Sequence, residues 1–165
     1  MQLEHYNSPF QEKIFPIIIL CDHISSEANI GSIFRLADAF GVSKVVFGGI
    51  TPKFSRRMEK TARNTHKTVP HKLTEDILQY ALDLKKKGFT ILALEITKDS
   101  IPIQNIEAIP DQNMALILGN ENAGISDGLI KIADYTCHIE MFGKNSSMNV
   151  AQSAGICLYE LTKNK

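Results

Sequence analysis

The sequence predicts an α/β fold, a mostly parallel sheet flanked by helices. Three observations carry that expectation. Apolar runs of strand length recur along the chain, most of them are continuous rather than alternating, and helical patterns separate them. A continuous apolar run marks a strand covered on both faces, which is the condition of a parallel strand. Strands and helices in alternation build a βαβ array.

The elements follow in order. "FPIIIL" (15–20) is the first strand. Residues 29–40 then read as a helix, with Ile30, Ile33, Phe34, Ala37 and Gly41 on one face of a helical wheel. Arg35 falls instead with Gly31, Ser32, Asp38 and Ala39, small or polar residues that let a neighbour approach the backbone. "KVVFGG" (44–49) is the next strand, and a helix is expected over roughly 54–64. "TEDILQYALDLKKKG" spells a helix over 74–87, with Thr74 as N-cap, acids early, lysines late and Gly88 just past the end. Strands "FTILALEI" (89–96), "MALILG" (114–119) and "YTCHIEM" (135–141) follow, with a short helix near 125–132. The last helix, 147–162, is apolar almost all round: Val150, Ala151, Ala154, Ile156, Cys157, Leu158 and Leu161. Such a helix is buried on most sides, and in so small a protein a partner subunit would help to cover it. Gly155 within it costs about 1 kcal/mol relative to alanine, which a close helix crossing would explain.

At 165 residues the chain suits one domain spanning 1–165, with no linker and no repeat, and with no room for an appended N-terminal RNA-binding domain. An apolar fraction of 44% and a charged fraction of 22% are ordinary for a globular protein. The longest apolar run, "PIIILC" (16–21), is far short of a membrane span, and the polar N-terminus fits no signal or transit peptide. Cys21, Cys137 and Cys157 are odd in number and widely spaced, which argues for reduced thiols in a cytosol and against a disulfide frame or zinc site. "CDH" (21–23) reads at most as half a metal site, with no second pair near it. Net charge is zero, yet seven Lys/Arg lie between Lys53 and Lys72 against one acid, Glu59. That segment is either a solvated helix face or a local contact with a polyanion.

Ligands of open α/β sheets sit at the carboxyl ends of strands, so the loops after the strands carry the information. Three stand out: "DHISSEANIG", "GNENAGIS" and "FGKNSSMN". "GNENAGIS" has the glycine spacing of a phosphate-binding loop but lacks the following lysine. It reads either as a plain strand-to-helix turn or as a turn that aims main-chain groups at a ligand. Ser146, Ser147 and Asn149 supply N-cap chemistry to the last helix.

Together the three loops resemble the three motifs of the SpoU/TrmH family of RNA ribose 2′-O-methyltransferases, within the SPOUT superfamily. Asn29, Gly31, Arg35, Ala37 and Gly41 match the first motif; Leu118, Gly119, Glu121 and Gly124 match the second; Ile139, Met141, Gly143, Ser147, Met148, Asn149 and Val150 match the third. Glu140 stands where the family has proline, Met148 where it has leucine, and Ala151 where serine is common. The resemblance implies a C-terminal trefoil knot, a homodimer with active sites near its interface, and S-adenosylmethionine as cofactor, with no metal. It implies Arg35 at the ribose 2′-hydroxyl or its phosphate, positioned with the ribose by Asn29, Glu121, Ser147 and Asn149. It places the cofactor against Leu118, Gly119, Asn120, Ile139, Met141, Gly143 and Met148. RNA phosphates fall to Lys53, Arg56, Arg57, Lys60, Arg63 and Lys144. A 2′-hydroxyl target means RNA rather than DNA, tRNA favoured over rRNA. The alternative role for Arg35 is a surface pair with Asp38. Two other readings of the chain are a non-catalytic RNA-binding module that retains the fold, and a receiver-type domain, which would need clustered strand-end aspartates where only Asp22 offers itself.

Overall fold

The computed structural model describes residues 11–106, 112–145 and 147–163. Ser146, one of the expected capping residues, lies outside them. The elements are β1 (Phe15–Asp22), α1 (Glu27–Ala39), β2 (Val42–Gly48), α2 (Arg56–Ala62), α3 (Thr65–Thr68), β3 (His71–Thr74), α4 (Ile77–Lys86), β4 (Thr90–Leu94), β5 (Ile101–Pro102), β6 (Met114–Leu118), α5 (Asp127–Ile132), β7 (Tyr135–His138) and α6 (Val150–Thr162), with a 3-10 turn at Ile103–Asn105. The strands form one seven-stranded sheet in the order β3-β2-β1-β6-β4-β7-β5. Every pairing is parallel.

The continuous apolar strands are buried on both faces, as expected. Ile17, Ile19 and Cys21 of β1, with Met114, Leu116 and Leu118 of β6, join a core shared with α1, α2 and α6. The residues between them, Ile18, Leu20, Ala115 and Ile117, join the opposite core, under α4 and α5. Cys21, Cys137 and Cys157 are free and buried. Burial pushes the Cys21 thiol up, and the carboxylates of Glu121 and Asp22 add to that. Among the described residues no helix is long and apolar enough to cross a membrane.

Two of the expected boundaries move. Thr74 ends β3 instead of capping a helix; Asp76 caps α4, its Oδ1 accepting from the Gln79 amide at 2.8 Å. The carboxylate, two residues on, is the better acceptor for an amide at N3. α4 then closes at Gly88 (φ +84°), with the Phe89 amide donating to the Leu84 carbonyl at 3.1 Å. α1 begins at Glu27, with Ser26 as its cap.

Two glycines set how closely the helices pack. A Cβ on Gly155 would lie 3.1 Å from the Leu36 side chain, so α6 crosses α1 there. A Cβ on Gly31 would lie 2.6 Å from the Met58 carbonyl oxygen and 2.8 Å from Thr61 Cβ, so the small face of α1 is where α2 comes close. Arg35, one turn further along that side, therefore emerges beside α2. Gly31→Ala gains helix propensity but forces backbone apart. We expect it to lower stability by about 1–2 kcal/mol, read as a fall in the urea midpoint at unchanged slope.

Candidate active site

Four parallel strands, β1, β6, β4 and β7, end on the same edge of the sheet, and the loops that follow them meet there. The loop after β1 is tied to the loop after β6. Asp22, 1% exposed, accepts from the Ser126 amide through Oδ2 at 2.8 Å and pairs with His23 Nδ1 through Oδ1 at 2.6 Å. Asn120 Nδ2 donates to the His23 carbonyl at 2.7 Å. Asp22 and His23 are thus occupied as loop ties, and among the described residues no group of three or more His, Cys, Asp or Glu side chains is gathered as metal ligands would be.

The 119–126 loop is a closed turn. Asn120 and Gly124 exchange backbone hydrogen bonds of 3.0 and 2.9 Å, and Asn120 Oδ1 accepts from the Asn122 and Ala123 amides at 2.9 and 3.0 Å. Gly124 takes φ +72°, and its Cβ position is filled by the Glu95 carboxylate at 2.6 Å. Only glycine meets both demands without strain. Glu95 Oε2 accepts from the Ile125 amide at 3.0 Å, so the end of β4 braces the turn.

This turn aims Glu121 back at the start of α1. Its Oε1 accepts from the Ser26 amide at 3.0 Å and from Asn29 Nδ2 at 2.9 Å, and its Oε2 lies 3.3 Å from both the amide and hydroxyl of Ser25. Asn29 is 8% exposed, and its Oδ1 accepts from Asn149 Nδ2 at 2.9 Å. Asn149 caps α6, its Oδ1 accepting from the Ala151 and Gln152 amides at 3.0 and 3.3 Å. The direction of this chain is forced. The cap uses Asn149 Oδ1, so Nδ2 must donate; Asn29 then presents Nδ2 to Glu121, which must be an ionised acceptor. Partial burial raises the Glu121 pKa, but the donors, Asn29 foremost, outweigh it and hold the carboxyl below its usual range.

Behind this chain lies a cleft of about 460 Å³, lined by β4, β6 and β7 ends and the N-terminus of α6. That volume suits a drug-sized ligand. Gly119, Asn120, Ile139, Met141 and Met148, all expected at the cofactor, line it, as do Glu121, Ser147 and Asn149. Two of the residues expected at the cofactor are not among the lining. Leu118 is fully buried, its side chain committed to the core of the sheet, and Gly143 is not among the lining residues. Glu140, which replaces the family proline, accepts from Gln104 and does not line the cleft. Leu94, Glu95, Ile96, His138, Val150 and Ser153 line it and were not expected. The polar residues at the ends of "FTILALEI" and "YTCHIEM" were the available signal. His138 Nδ1 lies 2.9 Å from Ser100 Oγ. That hydroxyl already donates to the Thr97 carbonyl at 2.8 Å, so the histidine donates, and its Nε2 remains an acceptor.

Arg35 is exposed, does not line the cleft, and has no ion-pair or hydrogen-bond partner among the described residues; the surface pair with Asp38 is not formed. It stands about 9 Å along the axis of α1 from Asn29. Lys53, Arg56, Arg57, Lys60 and Arg63 are exposed on and around α2, also without ion pairs among the described residues, and Lys144 is exposed in the loop after β7.

Known proteins resemble this chain in sequence and fold. The chain is 27% identical over 164 residues to a tRNA (guanosine(18)-2′-O)-methyltransferase of Aquifex aeolicus, covering 99% of this chain and 77% of that one. The crystal structure of the A. aeolicus TrmH/SpoU tRNA modifying enzyme superposes with a TM-score of 0.83 at 29% identity, over 92% of this chain and 76% of that one. An AdoMet-bound rRNA methyltransferase from Sinorhizobium meliloti gives 0.78 at 26% identity, over 92% of this chain and 56% of that one. The chain spans 57% and 51% of the length of two further curated relatives. The family model described as SpoU rRNA Methylase matches residues 16–159, from the first strand into the last helix and across all three loops of the cleft. The chain belongs to the SpoU rRNA Methylase family.

Proposed function

We propose that this protein transfers a methyl group from S-adenosylmethionine to a ribose 2′-hydroxyl of tRNA or rRNA. The observation that carries the reading is the directed chain Asn149–Asn29–Glu121, which joins all three motif loops at the mouth of one cleft. S-adenosylmethionine, when bound, supplies a methyl group on a sulfonium, already a good leaving group. The chain's own task is to place and polarise the acceptor hydroxyl. The cleft fits such a cofactor: Gly119, Ile139 and Met148 give main-chain and apolar contacts, and Glu95 and His138 Nε2 give acceptors for its hydroxyls and amines. Arg35 holds the 2′-hydroxyl or the adjacent phosphate through its planar fork. A guanidinium carries five N–H donors and no acceptor, so it is a clamp rather than a base; the proton of the hydroxyl passes to water as the sulfonium leaves as a thioether. Glu121, Asn29 and Asn149 fix the start of α1, and Ser147, which lines the cleft, contacts the ribose in this reading.

The protein acts in this reading as a cytosolic homodimer, as one domain carrying the family's C-terminal knot. What supports the dimer is a stripe on α6 and the loop before it: Met148, Gln152, Gly155, Ile156 and Tyr159 line a shallow groove, with Ile156 39% and Tyr159 59% exposed. Phe142, 94% exposed, lies in the same loop. Gln152, Ile156 and Tyr159 form the side of α6 that the described residues leave exposed, with Gly155 at its border.

The enzyme and the non-catalytic module differ in cofactor binding. Isothermal titration should give saturable binding of S-adenosylmethionine after exhaustive dialysis against EDTA; no heat with the cofactor, while RNA still binds, would favour the module. The basic helix should act through phosphates. Arg56→Ala with Arg57→Ala is expected to weaken RNA binding and flatten its salt dependence by about one to two units of slope, at unchanged cofactor affinity. An unaltered slope would return α2 to a merely solvated face.

A further inference from the structure

The basic segment contains an aromatic surface that phosphate binding does not explain. Phe54 lies between Lys53 and the α2 arginines and is 40% exposed. Scattered exposed apolar side chains are ordinary. Phe54 is instead the outer member of a stack of rings that runs down into the core. Its ring centroid lies 5.5 Å from that of His71, the planes inclined by 33°. It lies 6.2 Å from Phe34, which is fully buried and packs in turn on Phe47 at 5.6 Å. His71, itself exposed, sets its edge on Phe34 at 5.2 Å, and its Nδ1 donates to the Val69 carbonyl at 3.2 Å. That bond holds the ring of His71 in place beside Phe54.

The surface is also tied to the site. Phe34 precedes Arg35 on α1. Ser55, the residue after Phe54, donates its hydroxyl to Glu27 Oε2 at 2.6 Å, in the first turn of α1 and two residues before Asn29. A half-exposed ring packed on its inner side against Phe34 and His71, with exposed Lys53, Arg56 and Arg57 next to it in the chain, offers the two contacts that an unpaired nucleotide uses: a flat face for its base and cations for its phosphates.

We propose that Phe54, with His71 beside it, is a stacking platform for an unpaired base of the substrate RNA, next to the nucleotide held at Arg35. The proposal rests on the RNA reading above and adds to it a base-dependent contact. Stacking on such a platform tolerates any base, so it confers a preference for unpaired over paired segments rather than for a sequence.

The test compares two probes of equal length and charge, single-stranded oligo(A) and an abasic sugar-phosphate oligomer, on the intact protein. The wild type should bind oligo(A) about tenfold more tightly than the abasic chain. Phe54→Leu keeps the apolar contact with Phe34 and removes the flat face. It should erase that preference, with the salt slope, the cofactor affinity and the sedimentation coefficient unchanged. Phe54→Trp should keep or increase the preference. A wild type that prefers oligo(A) while Phe54→Leu retains the full preference would overturn the platform and leave the RNA reading intact. Loss of the dimer in Phe54→Leu with base preference retained would overturn it in favour of a subunit contact. Failure of the wild type to bind tRNA or either oligomer would remove the RNA reading and the platform with it.

Discussion

Arg35→Lys is expected to slow methyl transfer by about 10²-fold or more while the protein folds, binds cofactor and sediments as before. The structure makes this a clean substitution. Arg35 is exposed and unpartnered among the described residues, so lysine disturbs no existing bond, and surface changes of this kind shift stability by about 0.5 kcal/mol at most. Charge is retained; what disappears is the planar five-donor fork that can hold a phosphate and a hydroxyl together. An arginine kept only for solubility, or for general attraction of RNA, would tolerate lysine well. Single-turnover methylation with saturating RNA separates the chemical step from binding, and a rate within about threefold of wild type would remove Arg35 from the reaction.

Glu121→Gln is the second large effect. The glutamine has the same shape, but its Nε2 donates. Of the groups around it, the Ser25 and Ser26 amides and Asn29 Nδ2 can only donate, and only the Ser25 hydroxyl can turn to accept. The glutamine's Oε1 can keep the Ser26 amide and Asn29 Nδ2, but its Nε2 then faces the Ser25 amide, donor against donor, and the charge that strengthened the bonds to Asn29 is gone, a change worth about 1–3 kcal/mol. We expect a lower melting temperature and turnover reduced by about tenfold or more, with Asn29→Ala adding little on top because the two act as one unit. The variant should also change the acid limb of stability. The donors depress the Glu121 pKa in the folded protein, so its contribution is present above the unfolded value and is lost as pH falls through the lower, folded one. Wild type should therefore lose this contribution as pH falls from the ordinary carboxylate range through the lower, folded value, and Glu121→Gln should show less of that acid loss. A variant with wild-type turnover and the wild-type acid profile would contradict a role for the relay.

The parts of the fold legible in the sequence were those with a strong local signal. β1 and β6 announce themselves as continuous apolar runs, and α1 and α6 by their periodic faces. β3 escaped because "HKLT" is an exposed edge, polar and four residues long, with nothing to bury on its outer side. β5 has two residues and α3 four, too few for any period. The site divides in the same way. Asn29, Glu121 and Asn149 carry motif spacings, and the resemblance brought them together. Glu95 and His138 do not: they reach the cleft only because β4 lies between β6 and β7, an order set by tertiary pairing. The side chain of Leu118, the last residue of a buried strand, faces the core, so any contact it makes at the cleft would be through its main chain. Periodicity is local, and the threading expected of this family is not written in it.

The most direct test of the central claim is the chemical position of the transferred methyl group. The protein would be incubated with S-adenosylmethionine labelled in its methyl group and with unfractionated tRNA and rRNA, and the RNA then hydrolysed in alkali. A 2′-O-methyl ribose cannot cyclise onto its 3′-phosphate, so label on ribose is recovered in alkali-stable dinucleotides. The account predicts label in that fraction, and its disappearance with Arg35→Lys. Label recovered wholly in base-methylated mononucleotides, or no transfer to either RNA by a protein that binds both RNA and cofactor, would contradict it.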